Sequence, residues 1–141
     1  MSNENEANPP EESQPENSPP MIEHRQALAT TRQSVTHKFA VAGMEGYLTI
    51  GLYDDGRPGE IFIKMAKEGS TMKGMVQAFC RAISLAIQYG LPISEACARF
   101  KGMRFEPMGH TSNPDIPEVT SIIDYVFKYL ELEFADEFGR R

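Results

Sequence analysis

The sequence predicts an α+β fold: a small antiparallel three-stranded sheet covered by a long helix, a short helix and a C-terminal helix. Three observations predict it. Apolar and polar residues alternate with a period of two in three short runs between Val35 and Met65, the pattern of strands with one buried face. Apolar residues then recur at helical spacing from Met72 to Ile87, and again from Val119 to Phe134. An isolated hairpin is marginal in water, so the apolar face of the strands needs a cover, and the amphipathic helices supply one.

Residues 1–20 are rich in Glu, Asn, Ser and Pro with nothing to bury. Such a segment cannot offset the entropy of ordering and is expected to be a disordered acidic tail, solubilising rather than a nucleic-acid mimic. Residues 21–34 read as a lead-in segment with a weak helical tendency. The domain proper is expected over 35–134, with 135–141 as a C-terminal tail.

In the first strand Val35, His37, Phe39 and Val41 share a face, and Gly43 to Gly46 end it. From Tyr47 to Tyr53, Leu48, Ile50 and Leu52 face one way. Asp54 to Gly59 carry turn chemistry, and Ile61, Ile63 and Met65 alternate beyond. Lys67 to Thr71 end this strand and start the long helix, with Ser70 or Thr71 as its cap. Met72, Met75, Val76, Phe79, Ile83, Ala86 and Ile87 form its apolar stripe, and Lys73, Gln77, Arg81, Ser84 and Gln88 the opposite side. Gly90 and Pro92 stop it. Ser94 can cap a short helix ended by Gly102. Met103 to Gly109 reads as a loop or a short extended piece, and His110 to Pro117 as irregular. The last helix has an apolar face widened by Tyr125 and Tyr129, which predicts burial on two sides.

The chain has 141 residues, 40% hydrophobic and 24% charged, as a soluble globular domain requires. No apolar run approaches the roughly 20 residues that span a bilayer, and the first residues lack a signal-peptide pattern, so a cytoplasmic protein is expected. The net charge is −6, but five of the 20 acidic residues lie in 1–20, leaving 15 acids against 14 bases. That balance does not suit duplex binding. Cys80 and Cys97 would lie about 15 Å and 5 Å from the corner between their helices. A disulfide needs α-carbons within about 7 Å, so two reduced structural thiols are expected.

Several groups are candidates for chemistry. Lys67, Gly69, Ser70, Thr71 and Lys73 surround a helix start, where free N–H groups attract anions. A phosphate or nucleotide could sit there, although the run is no Walker-type loop and also reads as a plain strand-to-helix turn. Asp54, Asp55 and Glu60 fit a solvated turn better than a cation site. His24, His37, His110 and the cysteines lack zinc spacing, and no metal site is expected. Tyr47, Tyr53, Phe39 and Phe62 could stack bases on an open sheet, but packing explains them as well. Arg104, Phe105, Glu106 and Pro107 combine charge, an aromatic ring and proline in a loop, which suits partner docking or a loop stapled by Phe105.

The pieces G-Y-L-T-I-G-L-Y-D-D-G-R-P-G-E-I-F-I, K-E-G-S-T, I-S-L-A-I-Q-Y-G-L-P, K-G-M-R-F-E-P-M-G and S-I-I-D-Y-V-F-K-Y-L follow one another between His37 and Phe134. This run resembles the TSCPD domain, the C-terminal region of adenosylcobalamin-dependent ribonucleotide reductases, here as a stand-alone chain. The resemblance implies deoxyribonucleotide synthesis for DNA. It transfers no catalytic residue, because that family uses a barrel and several cysteines, and nothing past Phe134 resembles its C-x-x-C tail. Its nucleotide sites belong to the barrel and to an N-terminal regulatory region.

The expected role is therefore an accessory, scaffold or regulatory module, inactive alone. The expected partner is a ribonucleotide reductase large chain, or further copies of this chain, with no nucleic acid or membrane. Adenosylcobalamin is implied for the partner, and no cofactor is expected on this chain. The alternative is a nucleotide- or phosphate-binding module using the Lys67–Lys73 turn. A third reading, a hydrolase using Asp54, Asp55 or a histidine, has little in the sequence behind it.

Overall fold

The computed structural model describes residues 24–134, so the expected acidic tail over 1–20 and the C-terminal tail over 135–141 lie outside the described residues. Strands β1 (Ser34–Val41), β2 (Met44–Leu52) and β3 (Pro58–Met65) form the antiparallel sheet in the order β1-β2-β3. One face carries Phe39, Val41, Leu48, Ile50, Ile61, Ile63 and Met65 into the core. Both hairpins are tighter than the sequence suggests. The first turn is only Ala42 and Gly43, both at positive φ (50° and 82°), the geometry that follows strand twist in a two-residue loop. β2 therefore starts at Met44, and Gly46 lies inside it, where a Cβ would come 2.6 Å from the Met65 sulphur. Pro58 and Gly59, expected in the second turn, open β3 and are buried.

Residues 24–33 form no helix. They run as an irregular strap, with Gln26 N–H donating to the Gln88 carbonyl (3.0 Å) and Arg32 pairing with Glu60 (2.6 Å).

Helix α1 spans Ser70–Gln88. Gly90 (φ 113°) closes it: its N–H reaches the Ile87 carbonyl and that of Leu91 reaches Ala86, a left-handed terminus that satisfies the last carbonyls. At the other end neither Ser70 nor Thr71 caps the helix. Gly69 holds the cap position with no side-chain bond. Ser84 and Gln88, read from the sequence as solvent-facing, are buried. Their partners are strand groups: Ser84 Oγ accepts from Ile61 N–H (2.9 Å) and donates to its carbonyl (3.3 Å), and Gln88 Nε2 donates to the Gly59 carbonyl (2.9 Å). Cys80 lies against the backbone N–H of Ile63. Four helix residues rise about 6 Å and two strand residues about 6.7 Å, so Cys80, Ser84 and Gln88 match Ile63, Ile61 and Gly59 step for step. This polar row covers the outer edge of β3, which would otherwise invite another strand.

Helix α2 (Ile93–Phe100) follows, with Pro92 at its cap position; Ser94 lies inside the helix and does not cap it. Two short strands, β4 (Gly109–His110) and β5 (Glu118–Val119), pair with each other, and Val119, expected to open the last helix, belongs to β5 instead because its backbone pairs with Gly109. Between them Ser112 N–H donates to the Ala40 carbonyl (3.1 Å) and Ala42 N–H to the His110 carbonyl (2.8 Å), covering half of the outer edge of β1.

Helix α3 (Ile122–Glu133) is buried on two sides, as its broad apolar face predicts. Tyr125 stacks on Phe39 (4.6 Å) on the sheet side, and Phe127 on Phe100 (5.1 Å) on the α2 side.

Candidate functional site

Cys80, the first rung of the polar row, pairs with Ile63, and β3 ends two residues later at Met65. The turns of α1 before Val76 thus overhang the sheet, and Val76 is the first buried residue of the helix. Beside the overhang lie the end of α2 with its following loop and the start of α3. Together they enclose an apolar groove of about 730 Å³, lined by Met72, Met75, Phe79, Phe100, Met103 and Phe105 over Ile122 and Ile123. Met72, Met75 and Met103 are exposed, Met75 to 68%. The volume is that of a ligand or side-chain pocket, and methionines adapt to irregular partners.

One wall of this groove is the loop the sequence marks for docking. Phe105 is half-buried in the wall, Arg104 and Glu106 stand exposed, and Pro107 is half-buried after a cis peptide bond. The loop is fixed by Asp124, which is completely buried. Its carboxylate accepts from the N–H groups of Gly102 (2.7 Å) and Thr120 (3.0 Å) and from Lys128 Nζ (2.9 Å). Burial pushes this carboxyl upward, but the Thr120 and Gly102 N–H groups and Lys128 outweigh it and hold it below the usual carboxylate value. Thr120 also ties down Met103 and Phe105 by their backbones, and Ser121 caps α3 on Asp124 N–H (2.9 Å). The sequence signal for this hub was S-x-x-D before an apolar run, a capping pattern.

The five residues around the start of α1 diverge. Gly69 and Thr71 border the groove, and Ser70 is exposed on the first turn. Lys67 lies beside the first hairpin turn with Ala42 and Glu45. Lys73 lines a polar hollow with Lys64, Glu68, Gln77 and Arg81. So the structure joins Gly69 and Thr71 to Phe105, and does not bring the two lysines together.

The other candidates have structural partners. Arg57 holds both oxygens of Asp55, by its backbone N–H (3.0 Å) and its guanidinium (2.7 Å), while Glu60 pairs with Arg32. His37 Nε2 lies 2.7 Å from the Tyr125 hydroxyl and its ring stacks on Tyr129 at 4.1 Å. Burial pushes its pKa down, opposed by Glu133. Both cysteines are free and buried. Burial pushes the Cys97 thiol up to about 12, and it donates to the Phe127 carbonyl at 3.4 Å; burial also raises Cys80. No group of three metal-ligating side chains occurs among the described residues. Of the four aromatics considered for base stacking, Phe39 is core and Tyr53 bonds the lead-in strap at Gln26 (2.6 Å). Tyr47 and Phe62 instead stand on the open second face of the sheet, 43% and 48% exposed. No helix of the described residues is long and apolar enough to cross a membrane.

Comparison with known proteins gives a consistent result. The family profile described as TSCPD domain matches residues 18–134. A vitamin B12-dependent ribonucleotide reductase of Rhodopirellula baltica is 56% identical over 110 residues, 78% of this chain and 11% of that protein. The protein of the same name from Streptomyces avermitilis is 46% identical over 110 residues, again 78% and 11%. That of Bradyrhizobium diazoefficiens is 41% identical over 119 residues, 84% and 10%. The chain thus spans about a tenth of the length of these relatives. No solved structure matches.

Proposed function

Because the chain belongs to the TSCPD domain family, we propose that it works as a non-catalytic accessory module that docks on the large chain of a vitamin B12-dependent ribonucleotide reductase. The observation that carries this reading is the groove. Three exposed methionines and three phenylalanines around one hollow form a contiguous apolar surface of the kind that marks a partner site. The wall is held rigid by Asp124, so little ordering cost falls on binding.

The chemistry of the reductase is assigned to the partner. Thiol chemistry needs an accessible thiolate, and the two cysteines here are buried with raised pKa values. Adenosylcobalamin likewise belongs to the partner in this reading. The groove is lined almost wholly by apolar side chains and does not fit a corrin fringed with amides.

The test is a titration of this chain against the Rhodopirellula baltica reductase trimmed of its matching region. Saturable binding is expected, weakened about tenfold or more by Met103→Asp and unchanged by Phe62→Asp on the sheet face. Absence of binding by the wild-type chain overturns the reading.

A second reading, phosphate or nucleotide binding at the start of α1, is favoured by one observation: the first turn has no side-chain cap and no acidic residue. Calorimetry with nucleoside triphosphates, with Lys67→Ala and Lys73→Ala as controls, separates it from docking.

A further inference from the structure

We propose that the outward face of α1 is a dimer seam, on which the α1 helix of a second copy packs antiparallel across a two-fold axis. Thr71, Met75, Ala78, Ala82, Leu85 and Tyr89 follow one another at steps of four, three, four, three and four residues. That is the a/d rhythm of a helix-pairing seam. All six are exposed, including Leu85 and Tyr89 at 44% each. They lie on the side away from Cys80 and Ser84, which face β3, and none is charged.

What selects a second copy as the occupant is the symmetry of the seam. About a point level with residue 80, Thr71 faces Tyr89 of the second copy, Met75 faces Leu85, and Ala78 faces Ala82. A two-fold contact requires such self-matching, because each residue must meet its partner's partner. The alanines at the centre let the helices approach to about 8 Å, and each end pairs a smaller side chain with a larger one. Parallel pairing would instead set Tyr89 against Tyr89 and Thr71 against Thr71, overfilling one end and leaving the other loose.

Two magnitudes limit the strength of this contact. A helix of 19 residues is about 28 Å long and offers a strip about 10 Å wide. That falls short of the roughly 800 Å² per partner of a standard interface, so association is expected in the micromolar range. The one like-charge approach is Arg81 with its symmetry mate on the solvent flank. Salt screens that pair, so the dimer tightens as salt rises.

Thr71 and Met75 at one end of the seam also border the groove, so the test uses residues farther along the helix. Neither Ala82 nor Leu85 lines that hollow. Sedimentation equilibrium of the full chain from about 1 μM to 1 mM should show reversible dimers. Leu85→Glu should raise the dissociation constant by at least about tenfold with unchanged circular dichroism. Mixing Ala78→Cys chains with Ala82→Cys chains should give a crosslink faster than either alone. A monomer at every concentration overturns the proposal. So does a dimer indifferent to both Leu85→Glu and Ala82→Glu, and so does a crosslink preferring Ala78→Cys with itself.

Discussion

The loop from Gly102 to Pro107 has two sides built on different principles. Toward α3, every polar group near Asp124 finds a partner: Gly102 and Thr120 N–H groups, the Thr120 hydroxyl and Lys128. Toward α1, Met103 and Phe105 face a hollow whose other rim, Met72 and Met75, is exposed. The hub gathers the expensive interactions, since a buried unpaired charge or N–H is costly. The groove leaves apolar area in water. Fold stability rests on Asp124 of α3 and partner binding on Met103 and Phe105 of the loop it anchors, so substitutions should separate the two.

The largest effect is expected at the hub. Asp124→Ala strands two backbone donors and the Lys128 charge, and should cost about 3 kcal/mol, or about 15 °C in Tm for a domain of this size. Thermal unfolding measures it.

Acid should act through the same group. The native pKa of Asp124 is depressed, so its contribution is present above the unfolded value of about 3.9 and is lost as pH falls through the native value. His37 is depressed as well, but as a base. Its neutral form suits the fold, so its contribution holds above about pH 6.5 and fades as pH falls toward its native value. Urea melts across pH should therefore show two acid limbs, with Asp124→Asn flattening the lower and His37→Gln the upper.

Gln88→Ala and Ser84→Ala remove bonds to β3 and should each cost about 1–2 kcal/mol, well below the hub. On the groove side, Met103→Asp should change stability by less than about 0.5 kcal/mol while weakening docking. A groove substitution that melted the domain would erase the contrast. The smallest effect belongs to the thiols: at neutral pH Cys97 should resist alkylation until the protein unfolds, because its pKa is raised to about 12.

The sheet and the helices were legible because period-two and period-three-four patterns report burial directly: Leu48, Ile50, Ile61 and Ile63 fall where alternation puts them. Ser84 and Gln88 were misread because a polar side chain defaults to water as its partner. The unpaired edge of β3 that claims them exists only once the strand is laid beside the helix. β4 and β5, two residues each, are too short to show a period. The docking loop was marked by its composition, but the groove was not visible. Met72 and Met75 fit the apolar stripe of α1 and read as core, but the end of β3 at Met65 leaves Met72 uncovered and Met75 lies on the side of the helix away from the sheet.

The central claim, that the groove rather than the sheet face or α3 meets the reductase, is tested most directly by amide hydrogen exchange of this chain with and without the trimmed large chain. The account predicts new protection confined to residues 69–79, 100–106 and 122–123, with 44–52 and 124–133 unchanged. Protection of the open sheet face around Tyr47 and Phe62, with the groove still exchanging freely, would contradict it.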